Sequence, residues 1–537
     1  METPVLIVGG GPVGLALAGD LGWRGLSCLQ IERSDGQVTQ PKMDMVHIRT
    51  MEFCRRWGIV DAVEQSGYNR AHAQDNVWVT ALAGGFELGR EVFPNCIDEK
   101  CPPQSPQKRE RAPQNFFDPA LARFVRTFPQ VQQRYHTELV DFTEDADGVT
   151  AQIRNIQTGE TETVRAQYLI GCDGAGSRVR EKLGITMTGN PVLTYTTNVV
   201  FRSRDLEKVQ DIPFAYRYIF VDDEGTWATL VAIDGRDHFR FSLVGNRDKR
   251  QLTDEELIAA VRRAVGTDCE IEIVSTMPWT RRELVADSYG SKRCWLVGDS
   301  AHQLSPTGAF GMNTGIQESL DISWKLEACL RGWGGPKLLP SYEAERKPVA
   351  ARNVAEAARN LARMLETRSR KPPKEIFDKG PAGDAARKDY GDWYTERMSH
   401  EWFTIGVQIG YRYDGSPVCV PDDTTPPPFD VATYVQTSHA GARAPHVWLK
   451  DGRSTLDLFG KGFVLLQIGS PAADASKLVE AAAGAKVPMQ VIALDEPDVV
   501  AVYEKKLVLV RPDGHVAWRG NSVPEDARAL IDTVRGA

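Results

Sequence analysis

Val5-Leu6-Ile7-Val8-Gly9-Gly10-Gly11-Pro12-Val13-Gly14 opens the chain and decides its first domain. The β-branched apolar run reads as a strand. Leu15 to Leu21 reads as a helix opened by Pro12, whose fixed φ suits a first helical turn. Leu26 to Ile31 returns as a second apolar strand and ends at Glu32, with Arg33 beside it. In such a βαβ unit Gly9 permits the tight turn, Gly11 lets backbone N–H groups approach a pyrophosphate, and Gly14 lets helix and strand pack closely. The helix N-terminus favours negative charge, and Glu32 stands where a carboxylate accepts hydrogen bonds from ribose hydroxyls. A glycine turn alone would explain the motif. Two strands, a helix and an acid in the right order point instead to a bound dinucleotide.

The rest of the composition bounds the function. At 537 residues the chain has room for roughly three or four domains. A formal charge of −8 argues against a nucleic-acid partner. The one short basic run, Arg368 to Lys374, reads as a solvated loop. Val5 to Trp23 carries a single charge, Asp20, but its glycines and the βαβ reading explain it better than a membrane span. No Lys/Arg cluster precedes it, so a cytoplasmic protein without membrane attachment is expected. The nine cysteines show no CxxC and no metal-ligand spacing, so no metal is expected. Cys96 and Cys101 are near enough to pair, but free thiols are the expectation.

Two later segments repeat the pattern of a strand ending in an acid. Tyr168-Leu169-Ile170-Gly171-Cys172-Asp173-Gly174 runs into Ser177-Arg178-Val179-Arg180, and Cys294 to Val297 runs into Gly298-Asp299-Ser300-Ala301-His302. Pro306, a loop from Gly308 to Gly315 and a helix around Glu318 to Leu330 follow. Acids at the carboxyl ends of such strands sit where α/β sheets bind ligands. In order and type the three segments resemble the glycine fingerprint, DG motif and GD motif of the group A flavoprotein aromatic hydroxylases. Nearest in type are the phenol, dichlorophenol and hydroxyphenylpropionate hydroxylases. The resemblance reaches from the N-terminus to Leu338–Pro348, which looks like the family's closing helix.

The resemblance implies an FAD-binding, Rossmann-like domain of mixed α/β and α+β class, interleaved with a β-sheet substrate domain. It also implies NADPH or NADH as reductant, O2 as co-substrate, and hydroxylation of a phenolic ring through a flavin C4a-hydroperoxide, giving a catechol or hydroquinone. Asp299 would bind ribityl or phosphate groups. Pro306, Gly311, Met312 and Asn313 would face the reactive flavin edge, and Asp173 and Gly174 would lie in the segment used for FAD and NAD(P)H. Gln114 matches a glutamine near the ribityl chain, and Arg49 matches an arginine at a helix start. Lys42 stands where the family often has arginine, and Glu318 where aspartate is usual. No second strand–GxGxxG–helix occurs, in keeping with transient NAD(P)H binding.

Val199 to Arg202, Tyr216 to Phe220, Trp227 to Ile233 and His238 to Val244 alternate as antiparallel strands of one sheet. Such a sheet can wall a pocket against the flavin, lined by Tyr216, Tyr218, Trp227 and Phe241, although each of these taken alone reads more readily as plain core. A ring attacks electrophilic oxygen faster when its hydroxyl is deprotonated, so a base near the phenol is useful. Asp44 resembles in position the acid that phenol hydroxylases place there, although it could simply cap a turn. His47 and Tyr289 are further catalytic candidates, each with a structural alternative, while His302 reads as structural.

The expected organisation is an FAD domain from 1–75, 105–190 and 275–365, with a substrate sheet from 76–104 and 191–274. A helical and loop linker at 366–430 and a thioredoxin-like unit at 431–537 would follow. That last unit holds no cysteine, so disulfide exchange is excluded and a stabilising or homodimer-forming role is expected. A flavin monooxygenase tailoring a polycyclic polyketide, and an FAD-fold binding protein without turnover, remain open beside the phenol hydroxylase.

Overall fold

The computed structural model describes residues 1–246, 252–367 and 370–537, so Arg368 of the basic run lies outside the described residues. The N-terminal sheet is parallel through Val131–Arg134, Cys28–Ile31, Glu2–Val8, Thr161–Gly171 and Cys294–Leu296. Val149–Asn155 and Thr137–Glu144 extend it antiparallel. Val5, Leu6 and Ile7 are wholly buried, so this strand is covered on both faces. That is why this strand reads as an unbroken apolar run and not as an alternation. Helix Pro12–Trp23 packs on helices Phe310–Leu330 and Gln114–Arg126, giving the dinucleotide half of a mixed α/β fold.

The second sheet has eight strands in the order His302–Gln303, Glu272–Ala286, Met187–Arg202, His238–Asn246, Gly225–Ala232, Arg217–Asp222, Asn76–Val79 and Glu87–Glu91. Its two faces separate by the period of two. Tyr218, Phe220, Leu230 and Phe241 meet Val261, Ala264 and Val265 of helix Asp254–Val265 in one apolar core. On the opposite face Trp78, Ile219 and Val221 pack on Tyr390, Tyr394 and Met398. Farther along that same face, Thr229, Val231, Arg240 and Ser242 are left to line a cavity.

The C-terminal sheet pairs Met489–Leu494 parallel with Phe463–Ile468, then adds Leu507–Val510 and Val516–Gly520 antiparallel. Its hairpin, turning through Pro512-Asp513-Gly514, reaches into the N-terminal half of the molecule. Arg511 is wholly buried and donates to Asp321 at 3.0 Å, to Asp513 at 2.6 Å and to Glu345. Lys325 donates to Asp321 and Glu345 from the other side, at 2.8 and 2.5 Å. Trp324 and Trp333 stack beside Phe463 across the same junction. All nine cysteines are free, and among the described residues no helix is long and apolar enough to cross a membrane.

Candidate active site

The glycine turn leaves a cradle. A Cβ on Gly9, whose φ is +117°, would lie 2.3 Å from the Cys172 carbonyl oxygen, and one on Gly14 would lie 2.2 Å from the Gly9 oxygen. Backbone therefore packs on backbone at both places. A Cβ on Gly11 would meet nothing within 4 Å, so the N-terminus of helix Pro12–Trp23 opens onto free space there. Glu32 is fixed beside it, accepting from Gly10 N at 2.7 Å and Ser34 N at 2.8 Å; Arg33 is exposed. Gly174 is likewise open, while Asp173 caps its own turn, accepting from Ser177 Oγ and Val179 N. Arg180 ties the two acid-bearing segments together through the carbonyls of Ser300 and Ala175. The Asp299 carboxylate, exposed in the cleft, accepts no hydrogen bond among the described residues.

Glu318 bolts the Gly298 turn in place. It accepts from Gly298 N at 2.8 Å and contacts His302 Nε2 at 3.0 Å. Burial would lower the His302 pKa, but the adjoining carboxylate reverses that and holds it above its ordinary value. The loop beyond, with Gly308 and Ala309 at positive φ, feeds the 21-residue helix Phe310–Leu330. Phe310, Gly311 and Met312 therefore lie in the helix's first turn, whose N–H groups have no intrahelical acceptor and form its positive end. The Asn313 side chain holds this end to the His47 region, donating to Met45 O and accepting from His47 N and Thr50 Oγ1. Gln114 accepts from Lys42 N and donates to Asp118, whose carboxyl burial pushes up to about 8. An open phosphate approach, a placed acid, an unpartnered carboxylate and a positive helix end together suit a flavin dinucleotide.

A cavity with about 1240 Å³ of atom-free space, part of it open to solvent, adjoins Pro306 to Ala309. Its floor is the polar face of the eight-stranded sheet: Asn76, Thr196, Asn198, Arg217, Thr229, Arg240, Ser242 and Arg281. Lys42, Asp44, His47, Arg109 and Arg111 form one wall, and Glu401, Trp402, Thr404 and Gln408 form another. Six cationic side chains (Lys42, Arg109, Arg111, Arg217, Arg240, Arg281) thus face two carboxylates, Asp44 and Glu401.

Asp44 sits at the centre of that charge. It accepts from Arg111 at 3.2 Å, from Arg240 at 3.1 Å and from the Tyr216 hydroxyl. Burial alone would raise its pKa, but the two guanidiniums and the phenol hold it below the ordinary carboxylate value. The Tyr216 ring lies 3.5 Å beneath the Arg111 guanidinium. Burial, with Arg109 nearby, pushes the His47 imidazole down to about 3, so it is neutral near pH 7.

Four expected site residues, and Arg49 with them, lie elsewhere. Tyr218, Trp227 and Phe241 pack against helix Asp254–Val265, on the sheet face away from the cavity. Tyr289 is wholly buried in the FAD-domain core, 5.9 Å from Tyr342, and its hydroxyl has no hydrogen-bond partner. Arg49 turns away from the cleft to Glu52 and the Asp513 carbonyl. Sequence reasoning missed Arg109, Arg111, Arg217, Arg240, Arg281, Glu401 and Trp402. The one available signal was arginine alternating with phenylalanine in Phe239-Arg240-Phe241.

Comparison with known proteins adds the family. Residues 2–357 match the FAD binding domain model, and residues 437–537 match that of the aromatic-ring hydroxylase C-terminal domain. Tetracenomycin B2 monooxygenase-dioxygenase of Streptomyces olivaceus is 32% identical over 99% of this chain and 98% of that protein. Phenol 2-monooxygenase of a Pseudomonas strain is 29% identical over 100% of this chain and 93% of its own length. Structures of the rebeccamycin biosynthetic enzyme RebC, one with reduced flavin and one with bound 7-carboxy-K252c, superpose with a TM-score of 0.92. They are 38% identical and cover 100% of this chain and 99% of theirs. The chain belongs to the FAD-binding aromatic-ring hydroxylases of the group A type, and it is an FAD-dependent monooxygenase.

Proposed function

We propose that this enzyme hydroxylates a multi-ring aromatic substrate carrying a carboxylate or an ionisable phenol, using NADPH or NADH and O2. The cavity carries this reading. Its floor runs from Met277 across the neighbouring strands to Asn76, six strands in all. Five inter-strand spacings of about 4.8 Å make roughly 24 Å. That length would take several fused rings, whereas a single phenol would leave most of it empty. The excess of cations over acids on the lining fits an anion, and RebC, solved with bound 7-carboxy-K252c, is a similar protein whose ligand carries a carboxyl group.

Bound FAD supplies the oxygen-activating redox chemistry. The Gly9–Gly14 turn, Glu32, Asp173, Gly174 and Asp299 would hold its dinucleotide part, and the Phe310–Leu330 N-terminus, with Pro306, Gly311, Met312 and Asn313, its ring. Arg111 and Arg240, fixed by Asp44, stabilise negative charge on a substrate oxygen and so lower the pKa of a phenol placed between them. Asp44, ionised and already accepting from three donors, acts as the orienter of this pair and not as the base. Neutral His47 adds no charge to the ring's surroundings.

The test is ligand-stimulated NAD(P)H oxidation across 4-hydroxybenzoate, 6-hydroxy-2-naphthoate and emodic acid, each paired with its neutral carboxamide. Stimulation that rises with ring count and drops on loss of the carboxylate charge is expected. Equal stimulation by unsubstituted phenol would refute the reading.

A further inference from the structure

One cavity wall, with Glu401, Trp402, Thr404 and Gln408, comes from a stretch that neither family model covers, residues 358–436. At this end Arg217 donates to Glu401 Oε1 at 3.1 Å and lies 5.2 Å from the Trp402 ring. Asn76 is the direct cross-strand partner of Arg217, so its side chain belongs to the same end of the floor. Three polar atoms here are buried without a hydrogen-bond partner: Glu401 Oε2, Trp402 Nε1 and Asn76 Oδ1. Buried polar groups in native proteins are almost always paired, and an unpaired one costs stability. Orphans gathered at one end of an open cavity are groups whose partner arrives with the ligand.

Two of the three atoms are acceptors, and the carboxylate oxygen is the stronger acceptor because it is charged. We infer that Glu401, with Asn76 and Trp402, forms a distal subsite that receives an O–H or N–H donor on the substrate ring farthest from the flavin. This inference rests on the multi-ring reading above. Arg217 is a positioning residue here: it fixes one carboxylate oxygen and leaves the other without a protein partner. The segment after the FAD-binding region thereby selects the substrate as well as connecting two domains.

The experiment titrates the FAD-loaded protein, following flavin absorbance, with 6-hydroxy-2-naphthoate and emodic acid. Each is compared with its methyl ether (6-methoxy-2-naphthoate and the 7-O-methyl ether of emodic acid), which lacks the far donor. The wild type is expected to prefer the free hydroxyl by about tenfold or more. Glu401→Gln should shrink that preference severalfold. The double variant Arg217→Met/Glu401→Leu, which removes the pair together so that neither charge is stranded, should abolish it. Retained FAD absorbance and an unaltered melting profile identify a folded variant in either case. A folded double variant that keeps the full hydroxyl preference overturns the subsite while leaving the multi-ring reading intact. Binding of 4-hydroxybenzoate alone, with neither longer acid bound, overturns the multi-ring reading and the subsite with it.

Discussion

Replacing Asp44 with asparagine separates an orienting carboxylate from a catalytic base. The substitution keeps the shape and removes the charge that Arg111, Arg240 and Tyr216 share. A hydrogen bond to a charged group contributes about 1.5–3 kcal/mol, so losing the organisation of that pair should lower kcat/KM by roughly 10- to 150-fold. FAD should stay bound, since Asp44 holds none of the groups around the glycine turn. The pH dependence is the sharper readout. The folded pKa of Asp44 lies below its unfolded value, which is about 3.9. Its stabilising contribution is therefore fully present above about pH 4 and is lost only as pH falls through the folded value. From about pH 5 to 8 the wild-type carboxylate does not titrate, so any acid limb of kcat/KM in that range should survive in Asp44→Asn. An acid limb that is present in the wild type and vanishes in the variant would show that Asp44 exchanges the proton, and would refute the orienting role.

Four other substitutions probe the rest of the account. Gly11→Ala adds a methyl group to open space and should fold and melt like the wild type while losing bound FAD, seen as lost flavin absorbance. Gly9→Ala, which drives a Cβ against the Cys172 carbonyl, should instead fail to fold stably; identical behaviour of the two variants would contradict the cradle. Arg511→Met removes the partner of Asp513 and leaves Lys325 alone to balance Asp321 and Glu345, and should cost about 3–5 kcal/mol by denaturant titration, against little change if the C-terminal unit were loosely tethered. Tyr289→Phe removes an unpartnered buried hydroxyl, so turnover should stay within about twofold and stability should hold or rise slightly; a large drop in kcat would place Tyr289 in the chemistry after all.

The dinucleotide cleft was legible because its signals are local. Gly9, Gly11, Gly14 and Glu32 meet within one βαβ unit, and the acids after Ile170 and Val297 end strands of the same sheet. The substrate cavity was not, for two reasons. Alternation says which residues share a sheet face, but not what covers that face. Helix Asp254–Val265 covers the side holding Tyr218, Trp227 and Phe241, which leaves the polar side with Arg240 and Ser242 for the ligand. A row of polar side chains on alternate strand positions ordinarily signals solvent. Second, the remaining walls come from distant segments. Arg109 and Arg111 precede the Gln114 helix, and Glu401 and Trp402 lie in a stretch rich in Pro, Asp and Gly that reads as a connector. Glu318, the departure from the family's usual aspartate, is explained by its contacts: its carboxylate reaches both Gly298 N and His302.

The most direct measurement incubates the FAD-loaded enzyme with emodic acid, NADH or NADPH, and dioxygen enriched in the heavy isotope, and weighs the product. The account predicts one labelled oxygen atom in the ring product, with reduced nicotinamide consumed in step with it. Unlabelled aromatic acid recovered intact, with nicotinamide oxidised as fast in its absence, would contradict it.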